Sequence, residues 1–409
     1  MNKINVVGLG YIGLPTALML AAHDIEVIGT DYNEKLVQTL KEGHTTFTED
    51  GLEELFQKAL MKGITFSTEY ACTDIYIVAV PTPYNKKNKK IDAHYIIGAI
   101  DAILSVCKKG ATIVIESTIS PGTIDKAVRP FVEAKQFVIG RDIHLVHAPE
   151  RIIPGNMICE LKYNSRTIGA DDMDKGEEIK EIYSSFCQGE IVVTDIRTAE
   201  ITKVVENTYR DINIAFANEL AKICQSDGMN VYEIIKIANK HPRVNILAPG
   251  PGVGGHCISV DPWFLVGDYP GLANIILAAR KINHSMPEYV LSRIAEIMEE
   301  NKITNLSRVG FYGLTYKEDV DDVRESPTLQ ILASMKSHLS NGFVQVYDPY
   351  IEENIVSNQK HEFTEFIDNI DLIVILVAHS EIRQRMKELK GKVIFDTRKI
   401  CTLPGTYYL

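Results

Sequence analysis

The residues best suited to chemistry lie close together at residues 250–262, which read GPGVGGHCISVDP. Four of the eight residues from 248 to 255 are glycines, and glycine lets backbone amides approach a ligand closely. Cys257 comes just after these glycines, and Asp261 follows four residues later. A thiol presented beyond a glycine-rich loop, with a carboxylate nearby, is typical of a nucleophilic cysteine. A free cysteine is more often a buried structural residue, but the flanking glycines favour the nucleophile here.

A second group of polar residues lies on a predicted long helix. From residue 198 to residue 227 the chain has no proline or glycine, and apolar residues recur at helical spacing. This pattern predicts a helix of about 30 residues, long enough to bridge two domains and to supply a dimer surface. Lys203 and Asn207 are four residues apart and share one face, which Arg210 continues. Either a solvated stripe or contacts with a ligand or another subunit would account for these polar side chains.

The N-terminal stretch has the layout of a dinucleotide-binding site. An apolar run at residues 4–8 is followed by a GxGxxG turn, a helical stretch, a second apolar run and an acid. In this order the glycines admit a pyrophosphate to the helix N-terminus. The acid would accept the ribose hydroxyls and repel a 2′-phosphate, which favours NAD over NADP. The predicted cofactor-binding residues of this turn are Gly8, Gly10, Tyr11, Ile12, Gly13 and Asp31.

Further buried strands are predicted at residues 74–80, 111–116 and 143–147. Ligands of parallel sheets gather at the carboxyl ends of the strands. Thr82 and Thr118 follow the first two strands and are expected to line the cofactor, although either hydroxyl could instead cap a helix. Glu150 and Arg151 follow the third strand as a candidate acid/base group and a candidate phosphate contact. The alternative for these two is a solvated ion pair in a loop.

The C-terminal part also alternates between strands and helices. Strands are predicted at residues 307–313, 342–348, 371–377 and 392–396, after a helical region at 272–300. This part has no GxGxxG turn, so it need not bind a dinucleotide. The predicted fold class is α/β, with two Rossmann-like doubly wound parallel-sheet domains joined by a long central helix. The expected domains are 1–195 for the cofactor, 196–300 for the central helices and 301–409 for the second Rossmann-like unit.

Composition excludes several classes of function. At 409 residues the chain is long enough for two to three domains. A net charge of -11 argues against a nucleic-acid partner, and no apolar run is long enough to cross a membrane. The seven cysteines are scattered without a Cys-x-x-Cys pair, which argues against disulfides and a metal site and for the cytoplasm. The N-terminus enters a strand at once, unlike a signal peptide.

Eight motifs in order carry a resemblance to a known family. They are GLGYIGLP at 8–15, EST at 116–118, PER at 149–151, RTAEITK at 197–203, ENTYRD at 206–211, HPRVN at 241–245, GPGVGGHC at 250–257 and DDVRESP at 321–327. Over essentially its whole length the chain resembles the UDP-glucose/GDP-mannose dehydrogenase family of nucleotide-sugar 6-dehydrogenases. ENTYRD and HPRVN point to the branch that acts on UDP-N-acetyl-D-mannosamine, with UDP-N-acetylglucosamine and UDP-glucose as rival substrates.

The resemblance implies a four-electron oxidation of the sugar C6 alcohol to a carboxylate, with two NAD reduced and a product used for a capsule or other surface polysaccharide. Cys257 would carry a thiohemiacetal and then a thioester. Lys203 would shuttle a proton and stabilise an alkoxide, while Asn207 would orient water or bind the oxyanion. Asp261 would orient the site beside the thiol, and Glu150 would activate water for thioester hydrolysis.

The resemblance also implies how the substrate binds, with the domain at 301–409 holding the UDP moiety. The implied nucleotide-sugar contacts are Arg151, Ile152, Lys203, Asn207, Arg210, His241, Arg243, Gly254, Tyr316, Lys317 and Arg398. Arg324 would reach the NAD. A homodimer, or a larger oligomer, would form through the central helix, with the His241/Arg243 loop reaching the partner subunit's site.

Lys317 and Arg324 allow a second interpretation. If the family resemblance is set aside, these two cations could form surface salt bridges with the acidic residues at 318–322.

The activity also has alternatives. A two-electron dehydrogenase of the β-hydroxyacid type carries a Lys-x-x-x-Asn pair on its long helix as well, and would need neither the thiol nor a second nucleotide domain. A catalytically silent NAD-binding protein is disfavoured because Lys203, Asn207, Cys257 and Asp261 occur together.

Overall fold

The computed structural model describes residues 3–85, 87–255, 257–338 and 343–409. His256 of the glycine-rich loop and Gly342, at the start of a predicted strand, lie outside the described residues. The chain divides into two compact units, Met1–Glu206 and Asn207–Leu409. The division falls within a helix of 31 residues, Ile196–Ser226, which confirms the long helix predicted from the sequence.

The first unit is built on an eight-stranded sheet of order β3-β2-β1-β4-β5-β6-β7-β8. Its strands are β1 Lys3–Val7, β2 Glu26–Thr30, β3 Thr65–Ser67, β4 Ile75–Val78, β5 Ala111–Ile115, β6 Ile143–His147, β7 Arg166–Ala170 and β8 Ile191–Thr194. Its helices are α1 Gly13–Ala22, α2 Glu34–Lys41, α3 Leu52–Met61, α4 His94–Val106, α5 Arg129–Ala134 (after a π-helical turn at Ile124–Val128), α6 Met157–Tyr163, α7 Met173–Ser184 and the start of α8 Ile196–Ser226.

The burial of the central strands explains why these segments form a sheet. Every residue of β4 and β5 is buried, and both are rich in β-branched residues, as expected for strands covered on two faces. All ten residues of α1 are buried as well, which suits a helix packed in the core of the unit. The sheet differs from the prediction at one junction, because β7 pairs antiparallel to β6.

The second unit has a six-stranded sheet of order β11-β10-β9-β12-β13-β14, and neighbouring strands run parallel throughout its described part. Its strands are β9 Val309–Tyr312, β10 Gln345–Tyr347, β11 Gln359–Lys360, β12 Leu372–Ile375, β13 Val393–Asp396 and β14 Tyr407–Tyr408. Its helices are the rest of α8, α9 Val231–Ala238, α10 Asp261–Asp268, α11 Asn274–Glu300, α12 Pro327–His338, α13 Phe363–Asp368 and α14 Ser380–Gln384, with 3-10 turns at Leu306–Arg308 and Met386–Leu389.

The two sheets repeat one topology. The order β3-β2-β1-β4-β5-β6 in the first unit matches β11-β10-β9-β12-β13-β14 in the second. The predicted α/β class with two Rossmann-like sheets and a long helix is therefore confirmed. Among the described residues, no helix is both long enough and apolar enough to cross a membrane.

Candidate active site

The turn between β1 and α1 is shaped by three glycines with different surroundings. A Cβ atom on Gly8, whose φ is +89°, would lie 2.6 Å from the carbonyl oxygen of Ala79. A Cβ on Gly13 would lie 1.8 Å from the carbonyl oxygen of Gly8, so only glycine lets strand and helix come this close. A Cβ on Gly10 would meet nothing within 4 Å, and this open space at the helix N-terminus fits the pyrophosphate of NAD.

The acid at the end of β2 is held against the same turn. Asp31 is partly exposed, and its Oδ2 accepts a hydrogen bond from the amide of Leu9 at 2.8 Å. Its Oδ1 accepts one from the amide of Asn33 at 2.9 Å. Thr82 and Thr118 follow the neighbouring parallel strands β4 and β5. The predicted cofactor residues of the first unit therefore lie beyond the carboxyl ends of neighbouring parallel strands.

Glu150 and Arg151, which follow β6, have separate partners. The Glu150 side chain is buried and forms an ion pair with Arg166 of β7, while its Oε1 accepts from the amide of Arg151 at 2.7 Å. The Arg151 guanidinium contacts Glu206 at 2.7 Å and donates to Oγ1 of Thr167 at 2.9 Å. The interpretation as a solvated loop ion pair is therefore wrong, because each side chain is held by other groups of the first unit.

Sequence reasoning missed a buried charged cluster around Arg166. This guanidinium pairs with Glu150, and its Nη1 also lies 3.6 Å from Oε1 of Glu116. Tyr183 donates to that Glu116 oxygen at 2.9 Å, and Thr16 of α1 donates to it at 3.3 Å. The signal in the sequence was weak: Glu116 and Arg166 are charged residues at the ends of apolar, β-branched runs.

Burial decides the charges in this cluster. Burial first, and the nearby charge of Glu150 second, raise the pKa of Glu116 to about 7. Burial alone would lower the pKa of Arg166, but attraction to Glu150 and its other neighbours raises it above the ordinary value. The arginine is therefore always charged, whereas Glu116 changes charge near neutral pH. The Oε2 atom of Glu116 is buried without a hydrogen-bond partner in the described structure, which suits the neutral acid.

Replacing Glu116 with glutamine is expected to change stability little at about pH 5 and to increase it at about pH 8. The pKa of Glu116 is raised from 4.5 to about 7, so its stabilising contribution is complete below 4.5 and is lost as pH rises through 7. Glutamine mimics the neutral acid and removes this loss, which is on the order of 3 kcal/mol for such a shift. Urea unfolding at both pH values measures the effect. An equal effect at both pH values would contradict the raised pKa.

Helix α8 buries two of the three polar residues that share its predicted face. Lys203 and Asn207 are each 6% exposed, whereas Arg210 is exposed. The interpretation as a solvated stripe is therefore wrong for Lys203 and Asn207 and holds only for Arg210. Burying a lysine and an amide costs free energy unless they are paired, so these positions indicate a specific role.

Three predicted catalytic residues meet in the second unit. Asn207 Nδ2 donates to Oδ2 of Asp261 at 2.6 Å, and both side chains are buried. Asp261 begins α10, and its amide donates to the carbonyl oxygen of Cys257 at 2.9 Å. Cys257 is partly exposed and lies one turn before the helix, where free amides favour negative charge. This arrangement suits a sulfur that reacts as a thiolate.

The glycine-rich loop is closely packed against other parts of the second unit. A Cβ on Gly254 would lie 2.7 Å from the Cβ of Tyr316, and a Cβ on Gly255 would lie 2.7 Å from its ring. A Cβ on Gly250 would lie 2.9 Å from a guanidinium nitrogen of Arg398. The expectation that these glycines clear room for a ligand is therefore incomplete. They also let Tyr316 and Arg398, two predicted substrate contacts, approach the loop that precedes the thiol.

Polar residues of α8 hold this loop in place. Asn218 Oδ1 accepts from the amide of Gly250 at 2.9 Å, and its Nδ2 donates to Asn283 of α11 at 2.9 Å. Asn283 donates to Asp211 at 2.8 Å, and Asp211 pairs with Arg280 at 2.6 Å. Asp211 and Asn218 of α8 therefore contact the chain's own helix α11 and glycine-rich loop, which the sequence did not predict.

The structure shows an ion-pair partner of Arg324, whose role the sequence had left undecided. Its Nε lies 2.9 Å from Oδ1 of Asp322, and its Nη2 lies 2.6 Å from Oδ2. This is the surface salt bridge weighed as the alternative, so a contact between Arg324 and NAD stays a prediction. Lys317 is partly buried, and its carbonyl oxygen accepts a hydrogen bond from the hydroxyl of Thr315 at 2.8 Å.

The other predicted binding residues differ in exposure. His241 and Arg243 are exposed in the segment after α9. Ile152 is 4% exposed and belongs to the apolar core of the first unit, so its side chain serves packing. Tyr11 and Ile12 are partly buried in the turn before α1.

Comparison with known protein families matches three parts of the chain. Residues 2–187 match the NAD binding domain of the UDP-glucose/GDP-mannose dehydrogenase family. Residues 197–285 match the central domain of that family, and residues 310–403 match its UDP binding domain.

Individual relatives agree with the family match. The chain is 44% identical to a UDP-N-acetyl-D-mannosamine dehydrogenase of Methanococcus vannielii, over 98% of this chain and 93% of the relative. It is 41% identical to an NDP-N-acetyl-D-galactosaminuronic acid dehydrogenase of Ralstonia nicotianae, over 97% and 96%. The solved structure of a UDP-N-acetyl-mannosamine dehydrogenase from Staphylococcus aureus superposes with a TM-score of 0.88 at 42% identity, over 99% and 98%. The chain therefore belongs to the UDP-glucose/GDP-mannose dehydrogenase family and is an NAD-dependent nucleotide-sugar dehydrogenase.

Proposed function

We propose that this enzyme oxidises the C6 alcohol of UDP-N-acetyl-D-mannosamine to the carboxylate of UDP-N-acetyl-D-mannosaminuronate. The observation that supports this choice of sugar is the 44% identity, over 98% of the chain, to a relative named for it. The conversion removes four electrons, and NAD bound at the β1–α1 turn would accept a hydride in each of its two steps. UDP-N-acetylglucosamine and UDP-glucose are the alternative substrates.

Cys257 would hold the sugar between the two steps. Its sulfur adds to C6 of the aldehyde, a C–S bond forms, and the thiol proton ends on the former carbonyl oxygen as a thiohemiacetal. Loss of a hydride from C6 and of the hydroxyl proton converts this adduct into a thioester. Water then displaces the sulfur, which releases the acid and restores the thiol.

Other predicted catalytic residues would position the substrate and transfer protons. We assign to Lys203 the removal of the alcohol proton and the stabilisation of the developing alkoxide by its charge. Asn207, fixed by Asp261 at 2.6 Å, would bind the same oxygen or orient water. Glu150, oriented by its ion pair with Arg166, is assigned to activating the water that hydrolyses the thioester.

The amount of NADH formed per substrate tests this scheme. Complete conversion is expected to yield two NADH and one sugar acid for each UDP-sugar consumed, measured by absorbance and mass spectrometry. A two-electron dehydrogenase would yield one NADH and a carbonyl product. An NAD-binding protein without catalysis would yield neither, and either outcome would overturn the proposal.

The choice of sugar needs a separate measurement. Initial rates of NADH formation with UDP-N-acetylmannosamine, UDP-N-acetylglucosamine, UDP-glucose and UDP-N-acetylgalactosamine give kcat/KM for each. We expect the highest value for the mannosamine derivative. A higher value for another sugar would move the assignment to that sugar while leaving the thioester scheme intact.

We also propose that the sugar acid is a precursor of a surface polysaccharide, such as a capsule, and that it is made in the cytoplasm. The family resemblance supports this destination. The structure describes all seven cysteines and joins none of them in a disulfide, and scattered reduced thiols are typical of a reducing compartment.

A homodimer through α8 is a further part of the proposal. Five large apolar side chains on this helix are exposed: Ile201, Val205, Tyr209, Phe216 and Ile223. At 3.6 residues per turn their positions fall within an arc of about 80°, so they form one stripe. Exposed apolar stripes of this kind mark interaction surfaces. The exposed His241 and Arg243 would then be available to the partner subunit's site.

Replacing Phe216 with aspartate is expected to convert the dimer into a monomer, because a charge placed in the stripe would have to be desolvated on association. Sedimentation equilibrium measures the molecular mass. Val192→Asp on β8 is a matched control, since Val192 is 46% exposed and Phe216 is 53% exposed. A monomeric wild-type protein, or an unchanged dimer of the Phe216 variant, would contradict the assignment of this surface.

A further inference from the structure

His379 is fully buried after β12, between Asp348 at the end of β10 and the segment 315–319. Its Nε2 lies 3.1 Å from Oδ2 of Asp348 and 3.3 Å from Oγ1 of Thr315. Its Nδ1 accepts a hydrogen bond from the amide of Asp319 at 2.9 Å. One imidazole ring therefore contacts both ends of the segment and the neighbouring strand end.

The hydrogen bonds determine which ring nitrogen carries the proton. The hydroxyl of Thr315 donates its single proton to the carbonyl oxygen of Lys317 at 2.8 Å, so its oxygen can only accept from Nε2. A backbone amide can only donate, so Nδ1 carries no proton. The ring is therefore neutral and donates from Nε2. Burial alone would raise the pKa of Asp348, but the hydrogen bond from His379 and the backbone amides hold it below the ordinary value.

Asp348 occupies the place in the second sheet that Asp31 has in the first. Each follows the second strand of its unit and accepts from the amide after the turn glycine, from Leu9 at 2.8 Å and from Leu314 at 2.6 Å. Asp31 is partly exposed, whereas Asp348 is 2% exposed and covered by His379. The second acid therefore anchors the chain and is not open to a ribose.

The far end of the segment is fixed as well. Asp319 accepts hydrogen bonds from the amide of Ser380 at 2.8 Å and from its hydroxyl at 2.5 Å. The hydroxyl of Tyr350 donates to Asp319 at 3.1 Å, and the Tyr350 ring lies 4.9 Å from the ring of His379. The hydrogen bond from the Asp319 amide to His379 is thus part of a compact anchor on the C-terminal side of the segment.

We propose that His379 is a positioning residue for nucleotide binding: it holds segment 315–319 in the conformation that presents Tyr316 and Lys317 to the uridine diphosphate. This inference rests on the proposed UDP-sugar substrate and on Tyr316 and Lys317 as its predicted contacts. Without the hydrogen bond to His379 the segment would sample more conformations, and ordering it again on binding would lower the affinity.

Two substitutions test the hydrogen bonds of the two ring nitrogens separately. In His379→Asn the amide oxygen can take the place of Nδ1 and accept from Asp319, whereas in His379→Gln the amide nitrogen can take the place of Nε2 and donate to Asp348. We expect His379→Gln to weaken UDP binding about tenfold, because the hydrogen bond from the Asp319 amide is lost. We expect His379→Asn to stay within about threefold of wild type. Isothermal titration of the full chain with UDP measures both, and titration with NAD is the control that should not change.

Hydrogen exchange gives a second readout that needs no ligand: protection of the Asp319 amide should fall in His379→Gln and persist in His379→Asn. Wild-type UDP affinity in His379→Gln would overturn the positioning role. So would a parallel loss of UDP and NAD binding together with a lower melting temperature, because that pattern indicates a general folding defect. If the wild-type protein fails to bind UDP, the proposed function is contradicted, and the exchange comparison alone decides whether His379 anchors the segment.

Discussion

Replacing Cys257 with serine is expected to abolish formation of the sugar acid. A serine hydroxyl is a weaker nucleophile than a thiolate and does not provide the thioester from which water releases the product. At most a slow oxidation to the aldehyde should remain, with kcat for acid formation lower by at least about 10³-fold. Mass spectrometry of the product, together with the NADH formed, measures both stages.

A matched cysteine shows whether the effect is specific. Cys107 is also partly exposed, but it lies at the end of α4 in the first unit. Cys107→Ser is expected to keep both oxidation steps, and NAD affinity should be unchanged in both variants. Release of sugar acid by the Cys257 variant at the normal rate would refute the thioester scheme.

Replacing Arg166 with methionine is expected to destabilise the folded protein by about 3–5 kcal/mol. Methionine fills a similar volume but leaves the buried carboxylates of Glu116 and Glu150 without their shared cation. The loss should be greater at about pH 8 than at about pH 5, because Glu116, whose pKa is raised to about 7, is neutral at the lower pH. Urea unfolding monitored by fluorescence or circular dichroism measures the free energy of unfolding.

Two controls separate this effect from a general cost of losing an arginine. Arg197 makes an exposed ion pair with Asp125 at 3.7 Å, and Arg197→Met should change stability by no more than about 0.5 kcal/mol. Adding Glu116→Gln and Glu150→Gln to the Arg166 variant should restore much of the stability, because no unpaired charge is then buried. A small loss in Arg166→Met, or no recovery in the triple variant, would show that the cluster is not held by charge pairing.

The elements that carry the site could be predicted from the sequence because their signals are local. The turn glycines and Asp31 lie within one strand–helix–strand unit, and their spacing alone predicts an NAD site. The absence of proline and glycine between residues 198 and 227 predicted α8, which the structure places at Ile196–Ser226. The family match confirms the cofactor and the class of enzyme.

Packing over long distances in sequence could not be predicted in the same way. Glycines at 250–255 indicated a loop before a reactive thiol, but not that Tyr316 and Arg398 press against it. Nor did the sequence of α8 reveal that Asn218 holds Gly250, 32 residues away, by a hydrogen bond of 2.9 Å. Such contacts depend on how elements pack, and one sequence carries no record of those pairings.

By itself, then, the sequence determined the cofactor turn, the long helix and the thiol, whose residues are set by local backbone geometry and covalent chemistry. Only the tertiary structure decided the partners of Glu150. Strands β6 and β7 run antiparallel with Val146 opposite Ala170 and His147 opposite Gly169, and this register, continued, places Glu150 opposite Arg166. A parallel β7, as the fold class led us to expect, would begin at the amino ends of the neighbouring strands, and Arg166 would then lie far from Glu150. The direction of one strand therefore determines whether the carboxylate proposed as the base is paired with a cation.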